Sequence, residues 1–84
     1  MTLQQELLDW VNADVSLDPS VTIVADTDLL LTGLVDSLGV VEIVGWLQDR
    51  TGLTIDPMEV VLENFQTVER MVALIERLLA ERAA

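Results

Sequence analysis

Apolar residues recur at helical spacing in three stretches of the chain and lose that spacing in a fourth. Val40, Ile43, Val44 and Leu47 fall at i, i+3, i+4 and i+7, one stripe of a helix. Val68, Met71, Val72, Ile75, Leu78 and Leu79 form a second stripe. Leu3, Leu7, Trp10 and Val11 form a third, with Leu8 at its edge. From Asp18-Pro19-Ser20 to Gly33 the apolar residues Val21, Ile23, Val24, Leu29, Leu30 and Leu31 keep no sustained period. That stretch is expected to be a long connection, partly packed on the core. Connections of this length without regular structure are uncommon and often functional.

The polar residues between the stripes set the boundaries. Thr2 with Gln5 three residues later has the pattern of a capping box and opens helix 1, expected to run to about Val11–Asp14. Helix 2 is expected from about Ser37 to Asp49 or Thr51, with Gly52 placed to end it in a left-handed cap. Asp56-Pro57-Met58-Glu59 is a start signal, with Asp as cap, Pro at the first helical position and Glu three residues on. It predicts a short helix 3 over about Pro57 to Leu62, ending before Asn64-Phe65, where the phenyl ring is expected to plug the core. Helix 4 begins near Thr67; Arg77 and Arg82 suit its negative end, and the Ala83-Ala84 tail is expected to fray. The sum is an all-α four-helix bundle in one domain, residues 1–84, with three longer helices, one short one and a long first connection.

Helix 2 carries more pattern than a surface helix requires. Besides its core stripe, Leu38, Val41, Glu42, Gly45 and Asp49 fall on a second face that mixes apolar residues with carboxylates. One apolar stripe is enough to seat a helix on a core. The second face is therefore a candidate docking surface, and it starts beside Ser37. Gly45 in mid-helix costs roughly 1 kcal/mol relative to Ala, which close approach of a partner, or of a group attached at the site, would explain. Trp46 is expected to be packed.

Composition narrows the function classes. With 84 residues the chain is one small domain, and 51% hydrophobic content argues against disorder. The formal net charge of -11 argues against a nucleic-acid partner, because the phosphate backbone would repel the chain. Basic partner surfaces are the natural complement. There is no cysteine and no histidine, which excludes a thiolate metal site, a cysteine nucleophile and a Ser–His pair within the chain, and makes zinc improbable. No apolar run approaches a membrane span, and the first residues lack the basic region of a signal peptide, so a cytoplasmic monomer is expected. All four basic residues are arginines.

Two candidate chemistries fail on spacing. An EF-hand loop counted from Asp26 would need Gly where Leu31 stands and Glu where Ser37 stands. The 15 acidic residues spread over every helix, so carboxylate pairs arise by chance and none marks acid–base catalysis. No metal ligand set is assigned. What remains is Asp36-Ser37-Leu38. Asp and Ser suit a helix start because a short side-chain oxygen accepts from a free backbone N–H, and Asp36 sets negative charge at the positive end of the helix.

In context that tripeptide carries more than a cap. Asp28-Leu29 and Gly33 stand before it, Val41-Glu42-Ile43 after it, then Gly52-Leu53-Thr54-Ile55 and Asn64-Phe65-Gln66-Thr67-Val68. With these landmarks nearly the whole chain resembles the acyl carrier protein family, the phosphopantetheine-binding carriers. The resemblance implies the acyl-carrier fold and a phosphopantetheine arm on Ser37, with Asp36 in support. It implies no catalytic residue, a carrier and not an enzyme, and an arm whose thiol holds acyl groups as thioesters in place of the missing cysteine. Implied partners are a phosphopantetheinyl transferase, assisted by Mg²⁺, and acid-activating or acyl-transferring enzymes with basic surfaces. Candidate contacts for these are Leu38, Val41, Glu42, Gly45, Asp49, Glu59 and Glu63.

Two residues, Leu34 and Val35, separate Gly33 from Asp36, and Gly39-Val40-Val41-Glu42 follows the site. That spacing looks like free-standing carriers that include the D-alanyl carrier proteins. The lysine-free composition is unlike the low-GC bacteria of that pathway, so a discrete carrier of acyl or aminoacyl units for a biosynthetic pathway (polyketide, fatty-acid or other) is the expectation. D-alanyl transfer is the alternative among carriers. A helical interaction domain in which Ser37 only caps its helix is the alternative of another class.

Overall fold

In the computed structural model, residues 1–83 are described, and they form helices and connections with no strand among them. Ala84, the end of the expected domain and fraying tail, lies outside the described residues. Helix α1 spans Leu3–Trp10 and continues as a π-helical turn over Val11–Val15. Helix α2 spans Ser37–Thr51, a 3₁₀ turn follows at Pro57–Glu59, α3 is Leu62–Phe65 and α4 is Val68–Ala83.

The local start and stop signals act as expected. Thr2 and Gln5 form the reciprocal capping box, Asp56 caps the 3₁₀ turn through the Met58 amide, and the Arg70 amide donates to the Thr67 hydroxyl at the start of α4. Gly52 closes α2 with φ 72°, a left-handed conformation that glycine adopts without a Cβ penalty. Helix 1 runs slightly further than expected. Its last turn widens, closed by Ser16 N–H to the Val11 carbonyl at 2.9 Å, so that Val11 and Val15 both enter the core.

The short helix departs from expectation. The segment predicted as one helix over Pro57–Leu62 is two pieces, because Val60 and Val61 leave helical geometry, Val61 at φ -125° and ψ 159°. The second piece includes Phe65, which is 1% exposed. Its ring fills the core, as expected. The Asn64 side chain donates to the Glu59 carbonyl at 2.8 Å and holds the two pieces together.

One core draws on every helix and on the connections, while the 3₁₀ turn contributes no buried residue. It comprises Leu7, Val11 and Val15 from the first helix, Ile43 and Leu47 from α2, Leu53 and Ile55 from the link, Phe65, and Val68, Met71, Leu74 and Ile75 from α4. Leu79, expected in the α4 stripe, is 44% exposed, and Leu74 is buried instead. The long connection adds Ile23, Leu29, Leu34 and Val35. It is anchored as well as packed. Leu29 N–H donates to the Gln66 carbonyl at 2.8 Å, Val35 N–H to the Leu29 carbonyl at 2.9 Å, and Glu69 N–H to the Ala25 carbonyl at 2.9 Å. Irregular backbone that packs on a core must find partners for its N–H and C=O groups, and these bonds supply them.

Candidate functional site

The start of α2 is built by two residues with separate tasks. Asp36, in extended backbone, is the cap: its carboxylate accepts from Gly39 N–H at 2.9 Å, and its carbonyl accepts from Val40 N–H at 3.0 Å. Ser37 is the first helical residue. Relieved of capping, its side chain is exposed, and the hydroxyl makes no hydrogen bond among the described residues. The amides of Ser37 and Leu38 are likewise without partners there. The helix therefore presents two free donors, and the positive end of its dipole, at the serine.

What holds this helix start in place comes from elsewhere in the chain. Gly39 is buried against the π turn and the end of the connection; a Cβ there would stand 2.7 Å from Val35 Cγ1 and 3.1 Å from Val15 Cγ1. The connection itself is fixed at Asp28. One oxygen of that carboxylate accepts from Leu30 N–H at 3.1 Å and Leu31 N–H at 2.9 Å, and the other from the Gln66 side chain at 2.7 Å. The Gln66 amide, followed by the Leu31 backbone, stabilises the ionised form and holds the Asp28 carboxyl below its usual pKa. Gly33, at φ 76°, turns the chain from this anchor toward Leu34 and Val35, both buried beneath the serine loop.

Beside Ser37 lies an open groove of about 630 Å³. Leu30 and Val35 contribute from the connection, Val40 and Val41 from α2, and Val60, Val61, Leu62 and Phe65 from the opposite side. Gly33, Asp36 and Ser37 complete its lining, so Asp36 is the only charged residue there. The opposite wall was not anticipated. Val60-Val61-Leu62 reads in sequence as part of a helix, and only the break there turns it toward Ser37.

The expected partner-contact residues divide into two groups. Leu38 and Val41 are 66% and 67% exposed, Glu42 and Asp49 are exposed, and Gly45 is half-buried with open space where a Cβ would go. These five form one outer face of α2. Glu59 and Glu63 belong to a second patch, beside the arginines of α4. The Glu59 carboxylate accepts from Arg77 at 2.8 Å, so its charge is matched within the chain, and the Glu63 carbonyl accepts from Arg70 at 3.3 Å. Arg77 is held above its usual pKa, chiefly by that bond to Glu59.

No group of histidine, cysteine, aspartate and glutamate side chains able to hold a metal ion is found among the described residues, and no helix there is long and apolar enough to cross a membrane. A family model described as a phosphopantetheine attachment site matches residues 3–75. No curated protein matches the chain.

Proposed function

The chain belongs to the phosphopantetheine-binding family, whose members are non-catalytic carriers bearing the group covalently on a serine, and on that footing we propose that Ser37 is the serine that bears it here. The observation that carries this reading is the exposed, unbonded hydroxyl at the first residue of α2. The residues around it suit a phosphodiester. The free Ser37 and Leu38 amides and the helix dipole favour negative charge at that point. The apolar groove starts at the same residue and gives the uncharged length of an arm a surface to lie against. When attached, the arm supplies the thiol that the chain lacks.

The chain's own contribution is presentation. Asp36 and Gly39 fix the helix start, and the anchored connection keeps Ser37 at the mouth of the groove. We assign one carrier domain, since the helices and the connection share one core. Acyl units of a biosynthetic pathway are the proposed cargo. The groove's walls are Leu, Val and Phe side chains, which suits an apolar chain better than the charged aminoacyl unit of a D-alanyl carrier. The exposed face Leu38, Val41, Glu42, Gly45 and Asp49 is the proposed contact for the transferase and for acyl-handling enzymes, with apolar anchors flanked by carboxylates for a basic surface.

The test is intact mass after incubation with coenzyme A, Mg²⁺ and a broad-specificity phosphopantetheinyl transferase, beside Ser37→Ala. A gain of one phosphopantetheine in the parent chain and none in the variant is expected. A folded parent that gains nothing, or a variant that still gains mass, overturns the assignment.

A further inference from the structure

Two tryptophans stand outside the buried core. Trp10, at the end of α1, and Trp46, on α2, are both half-buried and stack across the seam between the helices, with ring centroids 5.3 Å apart and planes 11° apart. Arg50, one turn beyond Trp46, places its guanidinium carbon 5.6 Å from the Trp46 ring centroid and pairs with Glu6. Together with Asp9 and Met1 these residues line a shallow dish of about 400 Å³. It lies on the flank of α2 away from the groove, since Trp46 is turned well away from Val40 and Val41 on the helix.

We propose that this seam is a docking site for a basic, arginine-bearing segment of a partner protein, its guanidinium stacking on the indole pair beside Arg50 and pairing with the Asp9 carboxylate, since Glu6 is already matched by Arg50. The seam already holds a guanidinium in this way: Arg50 takes an aromatic face and a carboxylate at once. Asp9 is exposed and has no ion pair among the described residues, so one carboxylate of the dish is still to be matched. Glu42 and Asp49, four residues before and three after Trp46, extend the acidic surface along the same side of α2. In a chain of net charge -11 the complementary partner is cationic. Arginine is favoured over lysine because a planar, weakly hydrated guanidinium stacks on indole and pairs with carboxylate together. The dish is too shallow to enclose a small molecule and suits a side chain presented by a larger surface. None of this depends on Ser37 bearing the arm.

The test titrates the chain with a terminally blocked oligo-arginine peptide and an oligo-lysine peptide of equal length. Binding is followed by the NMR signals of the two indole N–H groups at about 0.15 M salt, where diffuse attraction between exposed charges is screened beyond roughly 8 Å. The expected result is movement of both indole signals, with the arginine peptide bound about fivefold more tightly. That preference is expected to disappear in Trp46→Ala and to weaken in Asp9→Asn, whose exposed position leaves the fold alone. Equal affinity for the two peptides, or shifts that spare the indoles, overturns the proposal in favour of general attraction to an acidic protein. Indole shifts that grow with protein concentration before any peptide is added also overturn it, in favour of a second copy.

Discussion

The side chain of Asn12 holds the backbone of Ile23 from both sides, accepting from its N–H at 2.9 Å and donating to its carbonyl at 3.0 Å. The same amide also donates to the Leu8 carbonyl at 3.0 Å. One residue thus ties the long connection to the first helix where backbone pairing is absent. Asn12→Ala strands both groups of Ile23 in a partly buried position and is expected to cost about 2 kcal/mol. Urea denaturation checks this, and a loss below about 0.5 kcal/mol, the size of an ordinary surface substitution, would show that Asn12 is dispensable.

Asp28 gives the fold an acid-sensitive anchor. Its carboxyl is held below the ordinary value of about 4, so the stability it adds is present above that pH and is lost as pH falls through the lowered native value. Unfolding midpoints measured from about pH 6 down to pH 3 are expected to fall less steeply in Asp28→Asn than in the parent. Parallel curves would assign the acid response to other carboxylates, among them Asp18, which its bonds from Ser20 also hold low.

Gly39 is expected to reject even a methyl group. A Cβ 2.7 Å from a methyl of Val35 and 3.1 Å from one of Val15 meets two buried, β-branched side chains with little freedom to turn. Overpacking of about 1–3 kcal/mol opposes the roughly 1 kcal/mol that alanine gains in a helix. Gly39→Ala is therefore expected to lower stability and slow arm transfer together. Gly45→Ala meets open space and is expected to raise stability, with any defect confined to partner binding.

Asp36 separates a cap from a charge. Asp36→Ala removes the acceptor of the Gly39 amide and is expected to cost about 1 kcal/mol. Asp36→Asn keeps an acceptor and is expected to remain within about 0.5 kcal/mol of the parent. If the carboxylate also places the transferase's Mg²⁺, as the family resemblance implies, the Asn variant transfers the arm more slowly while staying folded. Unchanged transfer in that variant would leave Asp36 as a cap alone.

Much of this molecule is legible in contiguous residues, because caps and stops are short-range devices. Thr2 with Gln5, Asp36 before Ser37, Gly52 after Thr51 and Asp56 before Pro57 each act over a few residues and are found where their spacing predicts. The outer face of α2 follows in the same way from a period of 3.6 residues. Other features depend on residues that are distant in the chain. The break at Val60-Val61 turns an apolar run into the far wall of the groove beside Ser37. Asn12 meets Ile23, Asp28 meets Gln66 and Glu59 meets Arg77 through side chains whose partners no local pattern specifies. The sequence by itself determined which serine begins α2 and which residues share its faces, since helix geometry is a local property. Tertiary structure alone decided what lies beside that serine, because packing one core brings together segments that share no sequence period.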